Sequence, residues 1–373
     1  MGSDSGQPVR VVIAPDSFKG TLGAADAADA LAAGWRSERP DDELLTVPLA
    51  DGGEGTLDAL GHDLPESCWR SEPVTGPDGR PVDAAWLLLP DGTAVVEMAR
   101  AAGLPLLDRP DALDATTRGL GELLAAVVAD PAVTRVILTL GGSATTDGGT
   151  GALAALGARF LDADGADLTP GGGALSRLDR IDLTGLTPPP PGGVQCLVDV
   201  TAPLLGPLGA AGQFGPQKGA SPDQVVELDA ALARLADLLG GDRDAPGAGA
   251  AGGTAYGFAA CWGAEFVSGA GAVAAAAGLD DALRGAALVV TGEGQFDAQS
   301  LRGKVVGDLV DRARAAAVPV AVVAGRVDAE NLPVARALSL TELAGSVQGA
   351  MADPARWLTE AGVQLAREQS VTL

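Results

Sequence analysis

Aromatic side chains and cysteine are scarce in this sequence. Phe, Trp and Tyr together make up 3% of the residues, whereas glycine occurs 53 times. We therefore expect a core of Ala, Leu and Val with many close backbone approaches. The three cysteines, Cys68, Cys196 and Cys261, lack metal-ligand spacing, which favours free thiols and a cytoplasmic protein. The single histidine, His62, has no Ser/Asp context that would suggest a hydrolytic triad.

Basic residues are also scarce. Lys and Arg number 25 against 49 Asp and Glu, which gives a formal net charge of -24. Nucleic acids and anionic membranes bind basic patches, so neither is expected as a partner. No apolar run reaches the roughly 20 residues of a membrane span. A small anion remains possible as a ligand, because a few lysines and a metal ion can bind one inside an acidic protein.

A glycine-rich loop follows the most apolar segment of the chain. The run Val136–Leu140 predicts a buried strand, and it leads into Gly-Gly-Ser-Ala-Thr-Thr-Asp-Gly-Gly before a helical pattern from about Thr150. Backbone N–H groups at such a turn suit a phosphate or carboxylate. The alternative is a tight turn in which Asp147 only caps the helix.

Four further segments combine glycine with charged or polar side chains, and most of them follow an apolar run. They are Ala14–Thr21, Ala50–Thr56, Phe214–Ala220 and Thr291–Lys304. Ligands of open α/β sheets bind where strands end, so these segments are candidates for a site. The alternatives are surface salt bridges, helix caps and, for Ala50–Thr56, a capping box.

The order of patterns predicts an α/β protein of two domains. Strand-then-helix patterns occur at both ends of the chain, whereas hairpins and long loops fill the middle. We therefore expect one α/β domain formed by residues 1–74 and 286–373, with a second α/β domain, residues 75–285, inserted into it. Residues 240–253, rich in Gly and Ala, are expected to form a mobile loop. No segment matches a Walker A loop, and no G-x-G-x-x-G follows the first strand.

The five loop sequences together resemble the type I glycerate kinase family. They are APDSFKGT, ADGGEGT, GGSATTDGGTGAL, FGPQKGA and TGEGQFDAQSLRGK, and they occur in the family's order over almost the whole chain. Two positions depart from the family pattern, with Ala202 where Asn is frequent and Gln295 where a basic residue is common. The resemblance implies phosphorylation of D-glycerate with ATP and Mg²⁺, and 2-phosphoglycerate is favoured over 3-phosphoglycerate. It also implies that the domain built from both chain ends is Rossmann-like and that the inserted α/β domain carries the central Gly-rich loop.

The resemblance and the chemistry of phosphoryl transfer together suggest roles for particular residues. The reaction needs cations, hydrogen-bond donors, a metal-holding carboxylate and a base. The candidates for catalysis are Asp297, Asp199 and Lys304. The candidates for substrate and phosphate binding are Lys19, Ser143, Thr145, Thr146, Gly148, Gly149, Gln217 and Lys218. The candidates for metal binding are Asp16, Asp51, Asp147 and Glu293.

Several alternatives stay open at this point. The preferred base is Asp297, followed by Asp199 and then Asp147. The chain could instead phosphorylate another small hydroxy acid, or bind an anionic metabolite without turnover. D-Glycerate and ATP are the expected partners, and either a monomer or a homodimer is compatible with the sequence.

Overall fold

The structure, a computed structural model, describes residues 7–18, 20–297, 300, 304–328 and 334–372. Its strands, in chain order, are β1 (Arg10–Ile13), β2 (Glu43–Thr46), β3 (Trp69–Thr75), β4 (Pro81–Leu88), β5 (Thr93–Glu97), β6 (Arg135–Thr139), β7 (Arg159–Leu161), β8 (Arg180–Asp182), β9 (Val194–Leu197), β10 (Glu265–Val267), β11 (Leu288–Phe296), β12 (Val320–Val327) and β13 (Arg336–Ser339).

The α-helices, in chain order, are α1 (Ala24–Glu38), α2 (Thr56–Gly61), α3 (Ala99–Ala102), α4 (Arg118–Ala129), α5 (Thr150–Ala155), α6 (Ala210–Phe214), α7 (Pro222–Leu239), α8 (Ala250–Trp262), α9 (Gly269–Ala276), α10 (Leu279–Leu283), α11 (Val305–Ala315), α12 (Leu340–Ala344), α13 (Val347–Ala352) and α14 (Pro354–Thr372). Short 3₁₀ helices cover Glu66–Cys68, Leu104–Leu106, Gly172–Arg177 and Pro216–Lys218.

The chain divides into two compact units. The terminal unit contains Met1–Asp51, Asp58–Leu64 and Ala270–Leu373, and the inserted unit contains Gly52–Leu57 and Pro65–Gly269. The predicted fold class, with two α/β domains and a sheet built from both chain ends, is confirmed. The domain limits of the structure differ from the predicted ones, because β3 pairs with β4 in the inserted unit and α10 packs in the core of the terminal unit.

The terminal unit contains a parallel five-stranded sheet in the order β13-β12-β11-β1-β2. Numbered within this unit, the order is 2-1-3-4-5, which is the flavodoxin-like variant of the doubly wound sheet. Its switch point lies between β1 and β11. Apolar clusters cover both faces, since alternate residues of β1 such as Val11 and Val12 belong to different clusters. A parallel sheet buried on both faces explains why these strands are almost continuously apolar.

Glycine allows the two long helices of the terminal unit to pack closely. A Cβ on Gly34 of α1 would lie 1.9 Å from the Thr359 carbonyl oxygen, and one on Gly362 of α14 would lie 2.3 Å from the Leu31 carbonyl oxygen. Neither position tolerates a side chain without separating the helices. The same face of α1 buries Leu31 and Trp35, four residues apart, as an amphipathic helix requires.

The inserted unit contains a mixed six-stranded sheet in the order β10-β9-β6-β5-β4-β3. The strands β5, β6, β9 and β10 are parallel, whereas β3 and β4 form an antiparallel extension. Helices α4, α7 and α8 pack on one face of this sheet through a large apolar cluster. Helix α7 begins with a local capping arrangement, in which Ser221 forms a capping box with Gln224 and Pro222 occupies the first turn.

Candidate functional site

Two predicted carboxylates lie at the switch point of the terminal unit. Asp16 follows β1, and its N–H donates to the carbonyl of Gly292 at 2.8 Å. Glu293, the residue after Gly292, belongs to β11, which continues to Phe296, so the segment Thr291–Lys304 begins inside this strand. Asp16 is half-buried and Glu293 is 9% exposed. Both therefore stand where doubly wound sheets bind ligands.

The segment after β2 reaches the same edge of the terminal sheet. The Val47 N–H donates to Ile13 at 2.8 Å and the Leu49 N–H donates to Pro15 at 2.9 Å, so the chain keeps running beside the end of β1. Asp51, which is half-buried, follows two residues later. The predicted metal candidates of this unit are thus carried by neighbouring strands.

Asp297 and Lys304 lie beyond the end of β11. The Asp297 carboxylate accepts the Ser300 N–H at 3.3 Å, and the Asp297 N–H donates to the Ser300 hydroxyl at 3.1 Å, which closes a turn. Lys304 is exposed at the N-cap position of α11. The predicted phosphate ligand Lys19 lies outside the described residues.

The central glycine loop uses many of its own amides inside the inserted unit. The Gly148 N–H donates to Gly252 at 3.0 Å, the Gly149 N–H to the Asp147 carboxylate at 3.1 Å, and the Gly151 N–H to the same carboxylate at 3.3 Å. Gly148 and Gly149 are buried, with φ of +63° and +77°. The geometry gives these glycines a turn-forming role and does not support the anion contact predicted for them.

Asp147 is an internal anion of this loop. Its carboxylate is fully buried, and it also accepts the Thr117 N–H at 2.9 Å and the Thr117 hydroxyl at 2.8 Å. Burial raises the pKa of Asp147, and the hydrogen bonds from Thr117, Gly149 and Gly151 oppose that rise. The carboxylate thus occupies the kind of amide cradle that the sequence suggested for a ligand. This environment supports a loop-organising role rather than metal binding or base catalysis.

Lys218 is buried beside the same loop. Its residue exposure is 1%, and its Nζ donates to the Ser143 hydroxyl at 3.0 Å and to the Thr145 carbonyl at 2.5 Å. Burial lowers the pKa of Lys218 to about 7, and the negative charge of Asp147 partly counteracts this effect. The lysine therefore links two predicted motifs through internal contacts. Gln217, its neighbour, is exposed.

The hydroxyl groups of Thr145 and Thr146 are buried in the central loop. Both residues have 0% exposure, and within the described part of the chain neither Oγ1 atom has a hydrogen-bond partner. Ser143, at 7% exposure, lies at the start of the loop, where it forms a β-bridge with Gly103. Of the predicted hydroxyl ligands, Ser143 is the one nearest to the end of β6.

Within the stretch 240–253, residues 247–253 are buried, and the turn at the start of α8 packs in the core, which corrects the expectation of a mobile loop for this part. Ala251, Gly252 and Gly253 have φ of +53°, +65° and +86°, so they form a left-handed turn. A Cβ on Gly252 would lie 2.0 Å from the Thr145 carbonyl oxygen. The turn is buried because it packs directly against the central loop, a contact that composition alone did not reveal.

The parallel strands of the inserted unit end in a cluster of loops. A Cβ on Gly141, after β6, would lie 2.4 Å from the Gly53 Cα atom, so the loop Gly52–Thr56 and the central loop touch. Asp199, after β9, is exposed and accepts the Gly269 N–H at 2.8 Å. We call this region the carboxyl edge of the inserted unit.

Sequence reasoning missed Glu97 as a site candidate. It is the last residue of β5 and is 1% exposed, although it carries a carboxylate. The available signal was an acidic residue ending an otherwise apolar strand, because carboxylates are almost never fully buried without partners. Thr117, which binds Asp147, was missed as well, since its partner is 30 residues away.

Comparison with known proteins identifies the family. The profile of the glycerate kinase family matches residues 11–370. The chain belongs to the glycerate kinase family. It is 43% identical over 329 residues to the glycerate 2-kinase of Escherichia coli (strain K12), covering 85% of each chain. It is 42% identical over 332 residues to a glycerate kinase of Bacillus subtilis (strain 168), covering 87% of this chain and 86% of that one.

A solved structure supports the same assignment. The crystal structure of a proposed glycerate kinase 2 from Salmonella typhimurium LT2 has a TM-score of 0.83 and 37% identity, and the match covers 98% of this chain and 99% of that one. The family resemblance predicted from the five loops is therefore confirmed, and the glycerate kinase family makes the chain a phosphotransferase.

Two features are absent from the described residues. No group of three or more His, Cys, Asp or Glu side chains is arranged to hold a metal ion in this part of the chain. None of the helices described above combines the length and hydropathy of a membrane span.

Proposed function

We propose that this member of the glycerate kinase family transfers the γ-phosphoryl group of ATP to the 2-hydroxyl of D-glycerate, with Mg²⁺ bound to the nucleotide. The observation that carries the reaction type is the position of four of the five motifs at the ends of parallel strands, where open α/β sheets bind ligands. The preference for the 2-hydroxyl rests on the 43% identity to a protein named glycerate 2-kinase.

The terminal unit contains carboxylates that fit Mg²⁺. In ATP-dependent enzymes this ion usually keeps several waters and binds one or two carboxylates together with substrate phosphates, so a cage of three protein ligands is not required. Asp16 follows β1, Glu293 lies on the neighbouring strand β11, and Asp51 comes after β2 on the other side of β1. These three residues would hold the ion. When bound, Mg²⁺ would neutralise charge on the transferring phosphoryl group.

The remaining assignments follow from exposure. Asp297 is half-buried and Asp199 is exposed, so either carboxylate can receive the proton of the attacking hydroxyl. Exposed Lys304 suits a phosphate oxygen, and Gln217 and the Ser143 hydroxyl suit polar atoms of the ligand. Buried Lys218 and Asp147 act within the protein by shaping the loop that carries Ser143.

The direct test is ADP release on a panel of hydroxy acids. D-Glycerate should support turnover, and phosphorus NMR of the product should show phosphate on carbon 2. Lactate retains only the 2-hydroxyl and 3-hydroxypropionate only the 3-hydroxyl, so the first should be the better of these two poor substrates. A 3-phosphoglycerate product would overturn the regiochemistry, turnover restricted to another acid would overturn the substrate, and binding without ADP release would overturn catalysis.

A further inference from the structure

Glu97 makes contacts that reach beyond its own strand. One carboxylate oxygen accepts the Gly55 N–H at 3.2 Å and the other accepts the Leu57 N–H at 3.1 Å. The acceptor belongs to β5 and the donors to the segment Gly52–Leu57, which the inserted unit takes from an earlier part of the chain. In the sheet, Glu97 pairs in register with Thr139, the last residue of β6.

These contacts fix two glycine-rich loops at one place. The segment held by Glu97 contains Gly53, whose Cα atom lies so close to Gly141 that a Cβ there would approach it to 2.4 Å. It also contains Glu54, whose carboxylate lies near Gly142 of the central loop, 3.9 Å from the position of a Cβ. A shift of the first loop would therefore disturb the second.

The local sequence does not supply this support. The Thr56 hydroxyl, at the start of α2, donates to the Gly53 carbonyl at 2.7 Å and therefore does not accept the Gly55 or Leu57 N–H through that contact. The acceptor for both amides is Glu97, from a distant part of the chain. A carboxylate accepts two N–H groups at once, whereas a glutamine side chain would direct its own NH₂ group at one of them. The Arg100 guanidinium, with Nε 3.7 Å from the carboxylate, balances the buried charge.

We propose that Glu97 is a positioning residue of the phosphoryl transfer, which holds the Gly52–Leu57 segment against the central loop at the carboxyl edge. This inference rests on the proposed function. Phosphoryl transfer depends mainly on positioning and charge neutralisation. A misplacement of about 1 Å can lower a rate on the order of 10²-fold even when the altered residue does not touch the substrate.

The test compares Glu97→Gln with a matched control, Glu122→Gln. The Glu122 carboxylate also accepts a backbone N–H, from Thr75 at 2.7 Å, and pairs with Arg118 at 2.8 Å, but it lies on α4 beside β3. We expect Glu97→Gln to lower kcat on the order of 10²-fold, with a smaller change in KM. The control should lose stability while kcat stays within about threefold of the wild type.

Amide hydrogen exchange separates this inference from the proposed function. Protection of the Gly55 and Leu57 amides should fall in Glu97→Gln and remain in the control, whatever the substrate of the enzyme. If Glu97→Gln does not fold, Glu97→Asp replaces it, since it retains the charge but cannot reach both amides, and an intermediate loss of kcat is expected. A folded variant with control-like kcat, or with unchanged amide protection, would overturn the inference.

Discussion

Replacement of Lys218 by methionine tests whether this lysine is an internal support or a ligand-binding group. The variant keeps a long unbranched side chain but loses the ammonium that contacts Ser143 and Thr145. The Thr145 carbonyl then loses a buried donor, and a buried polar group left unsatisfied costs about 1–3 kcal/mol. The Ser143 hydroxyl can rotate towards another partner, so the free-energy cost of losing its contact with Lys218 should be smaller.

The pH dependence of stability gives the sharper expectation. Burial lowers the pKa of Lys218 from 10.5 to about 7, so between these values the unfolded chain binds the proton that the folded protein has released. Stability that depends on this group must then rise with pH across that window. The limiting slope for one proton is about 1.4 kcal/mol per pH unit. The methionine variant lacks this contribution.

Urea unfolding at pH 7, 8 and 9 would measure the difference in unfolding free energy between the two proteins. Above pH 7.5, the unfolding free energy of the wild type should increase relative to that of Lys218→Met by about 1 kcal/mol per pH unit. Lys304→Met, at an exposed lysine, is the control and should show no such trend. A pH-independent difference for Lys218→Met would show that the lysine keeps an ordinary pKa, and it would refute the buried environment described above.

Other residues give shorter tests. Gly148→Ala should lower the unfolding free energy by about 1–2 kcal/mol, because φ is +63° there, with KM unchanged; a KM effect without destabilisation would restore the anion-binding interpretation. Asp297→Asn and Asp199→Asn should be compared by steady-state kinetics, and the base is the one whose loss lowers kcat by about 10²-fold or more. Excess EDTA should abolish ADP release, and full activity would rule out Mg²⁺. Asp42, directly before β2, forms an ion pair with Arg39 at 2.6 Å. Burial raises the pKa of Asp42, but hydrogen bonds from Arg39 and two further donors outweigh it and lower the net pKa. Stability from Asp42 should therefore be lost as the pH falls through that lowered value, and an acid unfolding midpoint unchanged in Asp42→Asn would contradict this.

The sequence alone determined the family and the fold class. Apolar runs followed by glycine and polar residues predicted where β1 and β6 end, because buried parallel strands must be apolar on both faces and their ends carry the polar loops. Strand β11 instead continues into its glycine-rich segment. The start of α7 at Ser221 and Pro222 likewise follows local rules of helix capping. These features depend on neighbours in the chain.

Tertiary structure decided what each polar residue contacts. Lys218 and Asp147 have the composition of ligand-binding residues, yet the fold buries both and gives them internal partners up to 75 residues away. Glu97 looked like an ordinary strand end, and its importance depends on amides 40 and 42 residues earlier. The composition around Ala251–Gly253 predicted a mobile loop, because composition cannot show that the central loop packs directly against the backbone of these glycines. Burial and long-range pairing are set by packing, and short-range sequence patterns do not encode them.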